Sequence, residues 1–194
     1  MEEFELIGVE DCVQKVNGLA LEVTKKESVR FEIGASVNQL KTLLESPPVN
    51  QTYKLISVQG GFSSISFIKY ISEIEDIVEL YATTLRIGKK QMQIIDSIGI
   101  PKATFIVSSM MKNDVGKLGE YFNFFVNTCK KNNWKWKCVN NHAKLILMRT
   151  KLNYYVLETS SNLNENPRIE QYSFENDKGL YMWYSNIIKE IGGD

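Results

Sequence analysis

The stretch His142–Asn162, HAKLILMRTKLNYYVLETSSN, contains two strand-like runs on either side of a short turn. In the first run, side chains alternate between the two faces of a strand, so His142 and Lys144 project together at its start. The residues RTKLN form a turn, after which YYVLETS runs back antiparallel. The return carries Ser160 and Asn162 to the end of the sheet where the first two residues lie. The pattern therefore predicts a hairpin that gathers four polar side chains at one end.

Upstream of this hairpin, short apolar runs alternate with amphipathic helical patterns. The predicted strands are YKLISV, DIVELYATT and ATFIVSSM, and the predicted helices are SSISFIKYISEI, KKQMQIIDSIG and DVGKLGEYFNFFVNTCKK. We expect the second helix to end at Gly99 and the third to open at Asn113 or Asp114. Alternation at this spacing is typical of βαβ units with a parallel core sheet.

From Trp134 onward the alternation of strands and helices stops. WKWKCV, AKLILMR and YYVLETS follow one another without helices between them, which predicts hairpins added to the parallel sheet. RIEQYSFEN is a candidate for a further strand, and KGLYMWYSNIIKEI for a closing helix that packs on the sheet.

The first fifty residues predict a small addition to this α/β domain. LALEV and VRFEI have the character of short strands and VNQLKTLLE that of a helix, which SPPVNQ ends because two prolines cannot continue it. We therefore expect an N-terminal α+β addition over residues 1–50. An α/β domain with a mixed sheet flanked by helices is expected over residues 51–194.

The composition restricts the class of partner. The 194 residues include 23 basic and 23 acidic side chains, so no global field draws the chain to nucleic acid or to a membrane, and a polyanion site must be a local patch. Apolar runs such as ATFIV are far shorter than the roughly 20 residues that span a bilayer. The acidic start MEEFELIG lacks the features of a signal peptide, and the three cysteines show no repeating spacing. Both observations favour a cytoplasmic protein without membrane association.

His142 is the only histidine in the chain, and by itself it would be interpreted as a packing or surface residue. Its predicted neighbours favour chemistry at phosphorus. An imidazole can attack phosphorus or protonate a leaving oxygen, while lysine and asparagine donate to the non-bridging oxygens. Ser160 adds a hydroxyl donor, and Glu170 can orient the imidazole, although it could equally be a carboxylate on the surface of a strand. This chemistry requires no metal and no cofactor, and the spacing of Cys129, Cys138 and His142 fits no standard zinc site.

The residues His142-Ala-Lys144 and Thr159-Ser160-Ser161-Asn162, with NPRIEQ after them, resemble the motif of the phospholipase D superfamily, H-x-K-x4-D and then G-S-x-N. The resemblance extends over residues 53–191, because the strand–helix order from Tyr53 onward also matches the α/β half of that fold. The chain is similar to single-motif members from bacteria and phages or mobile elements, which include nucleases.

The resemblance implies a phospholipase D-like sheet and a phosphodiesterase that forms a phosphohistidine on His142. Together with a lysine-rich segment just before the motif, it favours DNA or RNA as the substrate. Lys144 and Asn162 would hold the phosphate, with Ser160 and Glu170 in support. The family builds its site from two motifs, and this chain has one. The resemblance therefore implies a homodimer that pairs two copies of His142 across a two-fold axis.

Two positions depart from the motif. The aspartate position holds Arg149, which cannot supply a carboxylate, and the glycine position holds Thr159. On the predicted strand Arg149 points away from the face of His142 and is expected in solvent. These departures leave a second interpretation open, in which the domain binds nucleic acid without turnover. A third is a scaffold or specificity subunit of a larger defence or mobile-element system.

The segment KKNNWKWK packs four lysines and two tryptophans into eight residues just before the motif. One interpretation is a contact with nucleic acid, in which lysines meet phosphates and tryptophan faces meet unstacked bases. The alternative is a solvated helix end followed by a strand whose tryptophans face the core. The candidate substrate-binding residues are Lys130, Lys131, Lys135 and Lys137.

Sites in open α/β sheets lie at the carboxyl ends of the parallel strands. By this rule Thr83, Thr84 and Arg86, at the end of the second predicted strand of the α/β domain, are expected to rim the same cleft as His142.

Overall fold

A computed structural model of the chain describes residues 27–33, 40–41, 43–57, 63–113, 116–164 and 169–192. The predicted strand LALEV lies outside these ranges, and of the predicted helix VNQLKTLLE the described residues 40, 41 and 43 are helical. The strands are β1 Glu27–Ile33, β2 Gln51–Ser57, β3 Glu79–Thr84, β4 Ala103–Ser108, β5 Lys135–Val139, β6 Leu145–Arg149, β7 Tyr154–Thr159 and β8 Glu170–Asn176. The helices are α1 Ser64–Ser72, α2 Lys89–Ile98, α3 Ser109–Asn113, α4 Lys117–Lys131 and α5 Lys178–Gly192.

The strands form one mixed sheet in the order β1-β2-β8-β7-β6-β3-β4-β5. β3, β4 and β5 are parallel, whereas β6 is antiparallel to both β3 and β7, and β8 is antiparallel to both β7 and β2. The expected α/β class, with a mixed sheet flanked by helices, is confirmed. β1 pairs in parallel with β2 over its whole length, so part of the first fifty residues extends this same sheet. The domain boundary at residue 50 stays a prediction.

The expectation of a hairpin between β5 and β6 is wrong. β5 pairs with β4 at the edge of the sheet, and β6 crosses over to lie between β3 and β7. The burial of the two strands explains the difference. Leu145, Ile146, Leu147 and Met148 are all buried, as a strand covered on both faces requires, whereas in β5 Lys135 and Lys137 are exposed. The continuously apolar strand β6 therefore lies in the centre of the sheet, and the alternating strand β5 lies at its edge.

The helices begin and end close to the expected positions, with one exception. Ser63 caps α1 through a capping box, and Gly99 ends α2 in the left-handed conformation with φ of 73°. The third helix was expected to open at Asn113 or Asp114. It begins instead at Lys117 after Gly116, whose φ of −100° and ψ of −148° are not helical, and residues 109–113 form the separate short helix α3.

Two clusters of buried side chains lie on opposite faces of the sheet. The larger contains residues of α1, α2 and α4, such as Phe67, Met92 and Phe125, packed with residues from alternate positions of the strands. The smaller is closed by α5 through Tyr181 and Ile188. None of the helices in the described ranges is long and apolar enough to cross a membrane.

Arg149 is held at the far end of β6 by a carboxylate. Its Nε donates to Oε2 of Glu79 at 3.1 Å, and the Lys102 ammonium pairs with the other carboxylate oxygen. Glu79 is 6% exposed and also accepts a hydrogen bond from Tyr81 at 3.1 Å. Burial raises the pKa of the Glu79 carboxyl, but the hydrogen bonds from Lys102 and Arg149 outweigh it, and the net pKa lies below its usual value. The expectation that Arg149 is simply solvent-exposed is therefore wrong, because it is an ion-pair partner.

We expect Arg149→Met to lower the free energy of unfolding at pH 7 by about 1–2 kcal/mol, because it leaves a buried carboxylate with one cation fewer. Arg149→Asp, which restores the motif aspartate, should cost more, since two carboxylates would then face each other. Urea unfolding would measure both. Lys151→Met, at an exposed position in the turn between β6 and β7, is the control and should change the free energy of unfolding by less than about 0.5 kcal/mol.

The difference in the free energy of unfolding between wild type and Arg149→Met should depend on pH, because folding lowers the pKa of Glu79. A carboxyl whose pKa is lowered by folding stabilises the fold above its ordinary pKa, and this contribution disappears as the pH falls through the folded value. The gap between wild type and Arg149→Met should therefore shrink below about pH 4.5. A gap that stayed constant down to pH 3 would show that Arg149 stabilises the fold by packing alone.

Candidate active site

The topology brings the motif residues to one edge of the sheet. Leu145, the first residue of β6, pairs with Thr83 near the carboxyl end of β3 and with Glu158 near the carboxyl end of β7. Glu170, the first residue of β8, pairs with Ser57 at the end of β2. The segments that carry His142, Ser160 and the other motif residues all adjoin these strand ends. We call this the carboxyl edge, because β2, β3, β4, β5 and β7 all end there.

His142 and Lys144 lie side by side, but in the segment before β6 rather than in the strand. The Lys144 Nζ is 3.1 Å from His142 Nδ1, 3.4 Å from Nε2 and 2.7 Å from the His142 carbonyl oxygen. The expected proximity is therefore present without the expected strand geometry. His142 is exposed and Lys144 is half-buried. A ring nitrogen that accepts a hydrogen bond from the ammonium is unprotonated, and its lone pair is engaged in that bond. Lys144 must therefore move away before this nitrogen can attack an electrophile.

The segment leaves strand geometry because of Asn141, a residue that the sequence analysis missed. Its side-chain amide donates to the carbonyl oxygens of Thr84 at 3.0 Å and Ile106 at 3.3 Å, at the ends of β3 and β4. Its Oδ1 accepts from the Ala143 N–H at 3.0 Å. Asn141 thus ties the backbone on both sides of His142 to two strand ends. The Asn-Asn pair before the histidine was a signal for such a turn, since asparagine bonds readily to nearby backbone.

Ser160 and Glu170 form a hydrogen-bonded pair across the β7–β8 connection. The Ser160 hydroxyl donates to Glu170 Oε2 and accepts from the Gln171 N–H at 3.0 Å. Glu170 is 7% exposed. Its charge also acts on Lys144: burial lowers the pKa of the Lys144 ammonium, the Glu170 charge raises it, and the net pKa lies below the usual value. The electrostatic link places Glu170 and Lys144 in one charged group at the carboxyl edge.

Asn162 is 7% exposed, and the backbone directly after β3 anchors its side chain. Its Oδ1 accepts from the Leu85 N–H at 3.2 Å. With the oxygen occupied in this way, the amide nitrogen is the atom that remains for donation to an anion. The next residue reinforces the same contact, because the Leu163 N–H donates to the Thr84 hydroxyl at 3.1 Å.

Thr159 occupies the glycine position of the motif without backbone strain. Its N–H donates to the Lys144 carbonyl oxygen at 3.2 Å, and its hydroxyl accepts from the Ser161 N–H at 2.9 Å. Among the described residues other than glycine, positive φ occurs at Asn50 and Asn133, so residue 159 needs no glycine in this chain. Its side chain instead stabilises the turn that presents Ser160.

Three of the four candidate substrate-binding lysines lie away from this group, whereas Lys137 pairs with Ile106, whose carbonyl oxygen accepts from Asn141. Lys130 and Lys131 end α4 and Lys135 opens β5, at the edge of the sheet opposite His142. Lys135 pairs with Thr104, four residues or about 13 Å along β4 from the carboxyl edge. Lys131 forms a salt bridge with Asp96 at 2.8 Å.

The tryptophans of the same segment are packing residues. Trp134 is 5% exposed and its Nε1 donates to the Ile100 carbonyl oxygen at 3.0 Å, while Trp136 packs edge-on against Phe122 and Phe125. The structure thus brings together His142, Lys144, Ser160, Asn162 and Glu170, but not the lysine segment. Within the described ranges, no group of three or more His, Cys, Asp or Glu side chains is arranged to hold a metal ion.

The sequence matches no protein-family model and no curated protein. Among solved structures, polyphosphate kinase from Porphyromonas gingivalis superposes with a TM-score of 0.59 and 13% identity, over 79% of this chain and 29% of that one. The match thus spans less than a third of the length of this neighbour. Yeast tyrosyl-DNA phosphodiesterase gives a TM-score of 0.39 at 10% identity over 62% of this chain and 31% of that one. The archaeal chromatin protein TrmBL2 gives 0.46 at 10% identity, over 79% and 58%.

At these identities the likeness concerns the fold, and polyphosphate kinase, the neighbour above a TM-score of 0.5, carries it. Polyphosphate kinase belongs to the phospholipase D superfamily. The expected phospholipase D-like fold is thereby confirmed, whereas the match of the His–Lys and Ser–Asn residues to the motif stays a prediction.

Proposed function

We propose that the protein is a metal-independent phosphodiesterase that acts on nucleic acid through a phosphohistidine on His142, in a site shared by two copies of the chain. The observation that carries the proposal is the contact between Lys144 Nζ and the His142 ring nitrogens, at 3.1 and 3.4 Å. It joins an exposed nucleophile to a cation at the edge where Asn162, Ser160 and Glu170 also lie. Sites for anionic substrates in α/β folds use this edge.

The proposed reaction has two displacements at phosphorus. In the first, the unprotonated ring nitrogen of His142 attacks, an N–P bond forms, and the P–O bond to the leaving group breaks. The leaving oxygen takes a proton from His142 of the partner subunit. In the second, that imidazole removes a proton from water as the water oxygen attacks. The N–P bond breaks, and both histidines return to their starting states.

The other residues act on the phosphate or on its surroundings. Lys144 moves from the imidazole to a non-bridging oxygen, and the Asn162 amide nitrogen donates to another as negative charge builds up. Glu170 holds Ser160 and balances the Lys144 charge. The homodimer follows from the mechanism, because the second histidine must come from another copy of a chain that has one.

The lysine segment remains a proposed secondary contact. Lys130, Lys135 and Lys137 are exposed, as a phosphate-binding surface requires, but Lys130 and Lys135 lie at the opposite edge of the sheet from the reacting groups. A nucleic acid would reach them only by extending beyond the sheet edge. We propose a cytoplasmic location on the grounds of composition.

We expect the protein to cleave labelled single- or double-stranded DNA or RNA in EDTA, and His142→Ala to abolish cleavage, because no other imidazole can form the intermediate. Light scattering should show a dimer for both proteins. Lys151→Ala, in the exposed β6–β7 turn, is the control and should cleave as wild type does. Binding that weakens with salt but no cleavage by wild type would favour a catalytically impaired nucleic-acid-binding or scaffold module.

The lowered pKa of Lys144 predicts the alkaline limit of the reaction. The ammonium binds phosphate while protonated, and it loses its charge at a lower pH than the ordinary lysine value of about 10.4. We expect kcat/KM in wild type to fall at a lower pH than the titration of an ordinary lysine would give. Lys144→Arg should extend activity to higher pH, since arginine stays charged, whereas Lys151→Arg should leave the limit in place. The same alkaline fall in Lys144→Arg would assign it to another group.

Asn141 is expected to act as a positioning residue. Asn141→Ala removes the bonds that fix the backbone around His142, and a displacement of about 1 Å can lower a rate about 100-fold. We expect kcat to fall by about 10- to 100-fold with KM changed less than twofold. Asn140→Ala, at the exposed neighbouring asparagine, is the matched control. A rise in KM with kcat unchanged would contradict the assigned role.

A further inference from the structure

Arg86 lies in the segment that joins β3 to α2, next to the proposed site. Its carbonyl oxygen accepts from the Thr84 hydroxyl at 2.9 Å. The preceding residue, Leu85, donates its N–H to Asn162 Oδ1 at 3.2 Å. The Cα atom of Arg86 therefore lies about 3.8 Å from the Cα atom of Leu85. Leu85 in turn contacts Asn162, the residue proposed to bind phosphate.

The residues after Arg86 are tied to the same neighbour. Ile87 forms a parallel bridge with Leu163, and the Gly88 N–H donates to the Leu163 carbonyl oxygen at 2.8 Å. The backbone on both sides of Arg86 is thus attached to residues 162–163. Backbone hydrogen bonds therefore fix the position of Arg86 relative to Asn162.

One donor of the Arg86 guanidinium, Nε, has unused hydrogen-bonding capacity. The residue is half-buried, and its Nε is removed from solvent with no hydrogen-bond partner in the described part of the chain. No carboxylate among the described residues forms a salt bridge with it. Burial of an unpaired charged donor costs free energy, and most buried polar groups in proteins have partners. An anion supplied from outside the chain would remove this cost.

We propose that Arg86 binds a second phosphate of the substrate, adjacent to the phosphate held by Lys144 and Asn162. The assignment rests on the proposed function of that site and deepens it. Arginine suits the role, because its planar fork donates two parallel hydrogen bonds to phosphate oxygens. The site then holds consecutive phosphates of one strand, and its substrate is a nucleic-acid strand rather than a molecule with a single phosphodiester.

Two substrates separate the second phosphate contact from the reaction itself. Bis(p-nitrophenyl) phosphate has one diester and no neighbouring phosphate, whereas a single-stranded oligonucleotide has both. For Arg86→Gln we expect KM for the oligonucleotide to rise about tenfold, the size of one lost charged hydrogen bond. Turnover of bis(p-nitrophenyl) phosphate should stay within twofold of wild type, which also shows that the variant folds.

Two variants serve as comparisons. Arg86→Lys keeps the charge but loses the fork, so its KM for the oligonucleotide should lie between those of wild type and Arg86→Gln. Lys151→Gln removes one charge from the exposed β6–β7 turn and should leave both substrates unaffected. An equal loss on both substrates in Arg86→Gln would overturn the proposal, because it would show that Arg86 acts through the backbone frame of the site.

A binding experiment separates failure of this proposal from failure of the proposed function. If wild type cleaves neither substrate, the proposed phosphodiesterase activity is wrong. The contribution of Arg86 to binding can still be measured. The slope of log affinity against log salt for the labelled oligonucleotide should fall by about 0.7 in Arg86→Gln, as for one lost phosphate contact on a single strand. An unchanged slope, or no binding by wild type, would overturn the second phosphate site.

Discussion

The antiparallel pairing of β6 with both β3 and β7 is the constraint on which the rest of the structure depends. It reverses one strand in the middle of a sheet whose neighbours run the other way. The start of β6 therefore lies beside the ends of β3 and β7, and the residues before β6 meet those after β7. Each half of the motif is polar and short, and the pairing of β6 with β7 brings the two halves together. The buried run Leu145–Met148 fixes this position, because it needs cover on both faces.

The candidate site combines an exposed reactive group with a buried frame. His142 is open to solvent, while Asn162, Glu170 and Thr84 are more than nine-tenths buried. Most contacts of the frame join a side chain to the backbone of a different strand end, as Asn141 does with β3 and β4. Such contacts hold His142 in place without enclosing it.

Local patterns in the sequence predicted most strands and helices, because alternation and threefold or fourfold spacing report burial directly. They also predicted that His142, Lys144, Ser160 and Asn162 meet, since this follows from one hairpin. The order of strands in the sheet was not predictable in the same way. Whether β5 pairs with β4 or β6 depends on competition among distant partners, and the sequence-based hairpin was wrong. Asn141 and the Arg149–Glu79 pair were missed for the same reason, because their partners are distant in sequence. Ile106 lies 35 residues from Asn141, and Glu79 lies 70 residues from Arg149.

The pairing of Arg149 with Glu79 separates the motif into two physically independent parts. The histidine and lysine lie at one edge of the sheet, and the fifth residue after the lysine lies at the other, where its neighbour on β3 decides which charge it can carry. A relative with aspartate at this position would need a neutral or basic residue in place of Glu79. Sequence searches that demand the aspartate would pass over chains of this kind, whereas a search for the pair of positions 79 and 149 would find them.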